Sequence, residues 1–444
     1  MQQQPKKGTQ LALLGAAHSL NHSLFVVAPP LLTVIMSDLG VSKLVIGTVA
    51  TVASLLYGVG ALVGGPLGDK IGEAKTITIC LAFSGLSTFI MLAAGVTKDI
   101  GLYALALILM AAWASLYHPT ANSLISKVFK EGRVAEVMGL HGVGGTLGVV
   151  LTPTIAWLLG ATFGWPWAFV TFGILSMLLA LFFVSGRARV RLATFFSCFL
   201  AFSLFYYELI QYKLLTATIL ACLFALFFIL FLWLERGSNF TSARESKNNT
   251  GGTIIDALKI RELWVLLAFN IAIGLFMKGV ELFFPTYLKE NRLIDPMWAS
   301  IAYTMVLAAG VPGQWAGGKA ADKVGSKKVL IATSAGVCVS LFSLLLFPVY
   351  TVGIIVFILF YGVSFYAHQP ALNSLTGFLS PQSQRGAVYG IFFFTSFGLG
   401  SLSQFMAGYM ADAYGLDAAF YLLTAFALIA LVLSFKLPAT KESK

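Results

Sequence analysis

Gly64-Gly65-Pro66-Leu67-Gly68-Asp69-Lys70-Ile71-Gly72-Glu73-Ala74-Lys75 and Gly317-Gly318-Lys319-Ala320-Ala321-Asp322-Lys323-Val324-Gly325-Ser326-Lys327-Lys328 are identical at six of twelve positions, at an offset of 253. Each copy lies between two long apolar runs. Each therefore reads as a short, charged, glycine-rich turn joining neighbouring membrane helices on one face of a bilayer. A second copied segment follows: Pro119-Thr120-Ala121-Asn122-Ser123-Leu124 against Pro370-Ala371-Leu372-Asn373-Ser374-Leu375, at an offset of 251 that Gly139 and Gly390 keep.

The composition agrees with a membrane setting. An apolar fraction of 58%, a charged fraction of 11% and a mean hydropathy of +0.87 lie far from the soluble range of roughly half apolar and a quarter charged. The runs are continuous, without the alternation of a membrane barrel, which makes the chain an all-α polytopic membrane protein. The net charge of +11 is spread over many short loops and gathered on no soluble face, so nucleic acid is excluded as a partner. Cys80, Cys198, Cys222 and Cys338 sit inside apolar runs at no metal-ligand spacing and read as small core residues. The first run, Leu11 to Met36, is too long for a signal-peptide core and is expected to be a retained helix.

Apolar runs set against charged and Pro/Gly breaks predict fourteen spans: 11–36, 44–65, 76–96, 100–126, 134–161, 166–186, 192–210, 214–234, 262–285, 298–317, 329–348, 352–377, 387–411 and 418–437. With both repeated turns inside, inner segments carry 23 Lys and Arg residues and outer segments five, Lys278 lying within a span. The positive-inside rule then predicts that both termini lie in the cytoplasm, and the cell membrane is the expected location.

The first six spans cover 11–186 and the last six 262–437, 176 residues each. Residues 1–186 and 262–444 are thus expected to be parallel six-helix repeats, the halves of a secondary transporter. Between them, 187–261 matches neither block and divides into a basic stop, a hydrophobic hairpin and a polar loop. An even number of extra spans keeps both turns on one face. The hairpin serves either as a lipid-facing edge or as a regulatory or partner contact.

The doubled turn resembles the G-x-L-x-D-[RK]-x-G-[RK] loop of the major facilitator superfamily, in both loops where that family carries it. The resemblance covers both blocks and leaves the insert outside. It implies two six-helix bundles around a central cavity lined mainly by core helices one, four, seven and ten, working by alternating access. A narrower stretch, Leu116-Tyr117-His118-Pro119 through Arg133 and Met138-Gly139-Leu140-His141-Gly142-Val143-Gly144-Gly145-Thr146-Leu147-Gly148 to Pro153, is similar to the fosmidomycin-resistance-type efflux transporters. That likeness implies export. The first loop copy departs from the pattern with Glu73-Ala74 where basic residues are usual. The E-x-x-E-R run of peptide transporters is missing from helix one, as is the acidic residue of fourteen-helix drug exporters; His18, Asn21 and His22 stand there instead.

All five histidines fall inside spans, and His18, His22, His118 and His368 lie on helices expected to line the cavity. Ionisable groups inside a membrane usually face protein or water and mark function; hydrogen-bonded packing is the competing role. His141, in the glycine-rich helix five, reads as structural. His18 and His22, four apart, share a helix face with Asn21 beside them. No carboxylate or cysteine is placed to complete a metal site with them, so no metal and no cofactor is expected, and proton exchange or solute binding fits better. Tyr117, Tyr366 and Trp113 flank His118 or His368 and are candidates to wall a cavity. Lys278 and Glu281, three apart in core helix seven, are the one strongly charged pair well inside a span, either a coupling device or a static ion pair. Asn122, Asn270, Gln314, Asn373 and Gln404 read as helix ties.

By the family resemblance Asp69, Lys70, Asp322 and Lys323 form a cytoplasmic gate with Arg133 and Arg385, the aspartates standing near helix starts. The expected function is secondary active transport of a small organic solute by a monomer in membrane lipid, coupled to protons and directed outward. The alternatives are an importer of small organic anions and a transporter-like sensor or scaffold. No G-x-x-x-x-G-K-[ST] loop and no nucleophile–base pair can be read, so the chain is not expected to be an enzyme.

Overall fold

In a computed structural model, residues 7–129, 134–184, 186–210, 261–347, 350–380 and 385–439 are described. They form helices and short connections, with no strand among the described residues. In lipid, backbone groups have no water to bond, and a helix satisfies them within one segment. In chain order the helices are α1 (Lys7–Val26), α2 (Ala28–Leu39), α3 (Lys43–Ile71), α4 (Glu73–Ser87), α5 (Ile90–Thr97), α6 (Ile100–Ala114), α7 (Tyr117–Val128), α8 (Val134–Phe163), α9 (Trp165–Ala180) and α10 (Gly186–Ile210). After the undescribed stretch come α11 (Arg261–Asn291), α12 (Pro296–Val324), α13 (Ser326–Leu346), α14 (Tyr350–Leu379), α15 (Arg385–Phe393), α16 (Leu402–Tyr414) and α17 (Leu416–Lys436).

Eleven segments among the described residues are long and apolar enough to cross a membrane. α12 falls outside that set, and its composition gives the reason. Its apolar run is diluted by Pro296, Trp298, Tyr303, Pro312, Gln314 and Trp315 and by several glycines, and Lys319, Asp322 and Lys323 follow in its last turns. One of those glycines is required by close packing on α14: a Cβ at Gly317 would stand 2.2 Å from the Ala367 carbonyl oxygen.

The doubled turns differ from the expected loops. Each is a single residue, Gly72 at φ 96° and Gly325 at φ 90°, between two helices that run up to it. That backbone region is open to glycine and strained for other residues, which explains why both copies keep it. Asp69 and Asp322 consequently lie in the last turns of α3 and α12, not near helix starts. Glu73 opens α4, where a carboxylate suits the helix dipole. It is buried and paired with Lys127, which also reaches Asp69 at 3.1 Å.

Several predicted spans are interrupted: 11–36 breaks at Val27 and 76–96 at Thr88-Phe89, and two further breaks have identifiable reasons. The span 100–126 breaks at Ser115-Leu116 into α6 and α7, since Pro119 has no N–H to give the Ser115 carbonyl. The span 387–411 is α-helical only at its ends. Phe394–Gly398 is a π-helical turn and Leu399–Ser401 a 3₁₀ turn. Asn270 on α11 donates to the Phe392 carbonyl at 2.7 Å and to Thr395 Oγ1 at 2.8 Å beside that wide turn.

α10 covers the expected span 192–210. Its Ala193, Phe196 and Leu200 are buried in the same apolar cluster as Phe89, Leu181 and Phe183, so it packs on the edge of the first half. The expected second leg of the hairpin, 214–234, and the polar loop lie outside the described residues, as does Arg133. Arg385 begins α15.

The halves are joined at the end of the bundle opposite the twin turns. There Asp412 on α16 accepts from the Lys43 and Leu44 N–H groups at 3.2 and 2.8 Å, capping α3 from the other half. Lys43 pairs with Glu290 at 2.9 Å and Lys289 donates to Thr33 at 2.8 Å. Further along, Thr51 donates to the Ser401 carbonyl at 2.8 Å, Thr154 meets Thr304 at 2.8 Å, and Thr146 donates to Gln314 at 3.3 Å.

Candidate functional site

Four of the five histidines converge in the first half. α8 lies so close to α1 that a Cβ at Gly145 would stand 2.5 Å from His18 Nδ1, and one at Gly148 would strike the Ser19 side chain. The glycine-rich run therefore makes room for the His18 ring. That ring stacks on His141 at a centroid separation of 4.3 Å. His18 Nδ1 donates to the His141 carbonyl at 2.9 Å, which leaves Nε2 with its lone pair. His22 Nε2 lies 3.0 Å from His18 Nε2 and is therefore the donor of that pair. His118, from α7, places its ring 4.9 Å from His18 and 5.0 Å from His22. Its Nε2 is buried with no hydrogen-bond partner among the described residues.

The supporting groups are satisfied. Tyr117 donates its hydroxyl proton to the Leu14 carbonyl, so the His141 Nε2–H, 3.0 Å away, donates to the phenol oxygen. Asn21, buried at 1% exposure, donates to the Ala114 carbonyl at 2.8 Å and accepts from the Tyr57 hydroxyl at 2.9 Å. Both polar ends of Asn21 are thus spent on tying α1 to α3 and to the break before α7.

An aromatic bridge leads from this cluster into the second half. His118 lies 5.1 Å from Phe393, Phe393 stacks on Phe397 at 4.5 Å, and Lys278 Nζ stands 4.4 Å from the Phe397 centroid. Such a cation over a ring gains about 0.5–2 kcal/mol depending on its solvation. Tyr57 packs on both phenylalanines, at 5.5 and 5.8 Å. Phe397 lies within the wide turn at 394–398 and Phe393 immediately before it; π-turns recur at functional sites. Lys278 also bonds Glu281 at 2.7 Å, forming the expected pair one turn apart.

His368 stands apart from the cluster. It packs against Phe365 in the second half and its Nδ1 turns back to the Phe365 carbonyl. Lys70 and Lys323 share the last helical turns with Asp69 and Asp322. The site residues absent from the sequence reading are Tyr57, Phe393 and Phe397, none of which carries a charge or motif to set it apart. His141 was visible as an intramembrane histidine, and the glycines after it were the signal that another helix comes close.

The family model of the Major Facilitator Superfamily matches residues 11–197 and 192–404. Over 391 residues the chain is 24% identical to the riboflavin transporter RibZ of Clostridioides difficile (strain 630), covering 82% of this chain and 79% of that protein. It is 32% identical over 152 residues to a voltage-gated purine nucleotide uniporter of Homo sapiens, 34% of this chain and 35% of that one. It is 28% identical over 147 residues to a probable L-galactonate transporter of Escherichia coli (strain K12), 33% and 32% respectively. The match spans about a third of the length of each of these last two relatives.

Among solved structures, the fold is similar to a bacterial homologue of the human lysosomal transporter Spinster in an inward-facing, unoccupied conformation. The TM-score is 0.71 at 16% identity, over 98% of this chain and 97% of that one. It is also similar to a mutant of the nucleoside transporter NupG, with a TM-score of 0.70 at 14% identity over 96% and 99%. These relatives are transporters and not enzymes. With its helical fold and eleven apolar membrane-length segments among the described residues, the chain is a multi-pass membrane protein that belongs to the Major Facilitator Superfamily.

Proposed function

We propose that the protein is a secondary active transporter that moves a small organic anion bearing a planar group across the cytoplasmic membrane by alternating access. The observation that carries this reading is the bridge from His118 through Phe393 and Phe397 to Lys278. It sets a cation, flat aromatic surface and imidazoles side by side across the two halves, amid apolar helices. A cation at that depth is costly unless it has partners, and an anionic solute adds one. RibZ is named for riboflavin and the human relative for purine nucleotides, both of which carry planar heterocycles.

Coupling to protons is assigned to Glu281, whose carboxylate is held by Lys278 and freed when an anion or a proton arrives. Outward direction rests on the likeness of the Leu116–Pro153 stretch to the fosmidomycin-resistance-type exporters. We assign the twin turns, with Asp69, Lys70, Asp322, Lys323, Arg133 and Arg385, to the cytoplasmic gate. The 187–261 insert is assigned as an edge hairpin that completes fourteen helices, in a monomer with both termini in the cytoplasm.

The test is a panel of carboxylates, phosphonates, flavins and nucleotides offered to purified protein in liposomes under an imposed pH gradient. Accumulation of an anionic planar solute is expected. Binding without accumulation would instead indicate a sensor, and accumulation confined to cationic drugs would overturn the assignment of Lys278.

A further inference from the structure

We propose that His18, His22 and His118 form a binding site for a borderline divalent transition-metal ion of the zinc or cobalt kind. Their ligand nitrogens all lie within 4.8 Å of one another. Two come from one face of α1, four residues apart, and the third from α7 across the break that Pro119 imposes.

Three features point to a metal and not merely to a hydrogen-bonded cluster. First, His18 is already prepared as a ligand. Its Nδ1–H is held by the His141 carbonyl at 2.9 Å, so Nε2 faces the other two rings with its lone pair. Metal-bound histidines nearly always have their second nitrogen held in this way. Second, His118 Nε2 is buried and has no hydrogen-bond partner among the described residues. Leaving such an atom unpaired is unfavourable, and a metal bond removes that cost. Third, the spacing fits. Metal–nitrogen bonds near 2.0–2.1 Å in a tetrahedral set place the nitrogens about 3.4 Å apart. His18 Nε2 and His22 Nε2 stand at 3.0 Å, and a His118 ring nitrogen lies within 4.8 Å of both ligand atoms.

The donor set selects the metal. Imidazole alone suits zinc, cobalt, nickel and copper, whereas magnesium and calcium need oxygen ligands. Binding replaces the His22–His18 hydrogen bond with two metal–nitrogen bonds. The proton on His22 Nε2 moves to Nδ1 through solvent, so the protein's charge is unchanged. Three neutral ligands leave the ion's double charge uncompensated among apolar helices, and four-coordinate metals of this type take a fourth donor. That donor is an anion, and the Phe393 side of His118, toward Lys278, is where one is attracted. The inference stands independently of transport, since it concerns equilibrium binding alone.

The experiment titrates the purified full-length protein in detergent with Co2+ and follows the visible d–d absorption, then displaces the ion with Zn2+. One ion per chain with the intense spectrum of a four-coordinate site is expected, absent from His22→Ala and His118→Ala and retained in His368→Ala. His118→Cys provides a control against misfolding, because a thiolate touching Co2+ adds a near-ultraviolet charge-transfer band. No saturable spectrum in the unaltered protein would overturn the proposal. So would a spectrum that survives in the His22→Ala/His118→Ala double variant, or a monodisperse His118→Cys protein that binds Co2+ without the band.

Discussion

The backbone carbonyl of His141 accepts a hydrogen bond from His18 Nδ1 at 2.9 Å, while the rings of the same two residues stack at 4.3 Å. The contact sets the tautomer of His18 and through it the direction of the proton shared with His22. It exists because α8 has no side chain at position 145. Replacing Gly145 with Ala would put a methyl group 2.5 Å from His18 Nδ1. Overpacking of this kind costs about 1–3 kcal/mol. We expect Gly145→Ala to lower thermal stability by that order and to abolish solute binding, whereas His141→Ala, which keeps the carbonyl, retains partial binding. Differential scanning fluorimetry and equilibrium binding on the same preparations check both.

Glu281 and Lys278 meet at 2.7 Å on α11. With Glu281→Gln, flux driven by a pH gradient should be lost, while expression and solute counterflow persist. Undiminished proton-driven flux would remove Glu281 from the coupling role. Lys278→Met should raise the concentration needed for half-maximal uptake of an anionic solute far more than that of a neutral analogue.

Asp412 caps α3 from the opposite half, accepting from the Lys43 and Leu44 N–H groups. A cap of this kind contributes about 0.5–2 kcal/mol. Because 1.4 kcal/mol is about tenfold in an equilibrium, Asp412→Ala should shift the population toward opening at that end by about twofold to thirtyfold. Spin-label distances between the two halves at the end distant from Gly72 and Gly325 would lengthen.

Asn270 supplies hydrogen bonds to the Phe392 carbonyl and Thr395 beside the π-helical turn. Removing them with Asn270→Ala leaves the Phe392 carbonyl with the Thr395 hydroxyl as its partner, so the cost is that of the lost hydrogen bonds, about 0.5–1.5 kcal/mol each. We expect lower stability together with weaker binding of planar solutes, since Phe393 and Phe397 lose their spacing. Asn270→Leu should be no better, because the loss is of hydrogen bonds and not of volume.

The helical class, most of the span positions and the family were legible in the sequence because bilayer insertion acts on local quantities. A run of apolar residues is long enough or it is not, and the doubled turn with Gly72 and Gly325 repeats a backbone demand that only glycine meets easily. His18, His22, His118, Lys278 and Glu281 stood out for the same reason, as polar residues where lipid tolerates few. What stayed hidden depends on geometry between distant segments. The single-residue length of the turns moved Asp69 and Asp322 to helix C-termini, and the wide turn at 394–398 has no marker in composition.

The repeat shows the division most clearly. At the offset of 251, Val143–Leu147 of the glycine-rich helix corresponds to Phe394–Gly398 of the π-helical turn, and the sequence alone establishes that correspondence. Only the tertiary structure decides that one member of the pair admits a histidine ring from α1 while the other presents Phe397 toward Lys278. Insertion depends on the sum of local transfer energies, which a one-dimensional reading can add up. Which side chains meet depends on how closely the helices approach, and that is settled by the packing of all of them together.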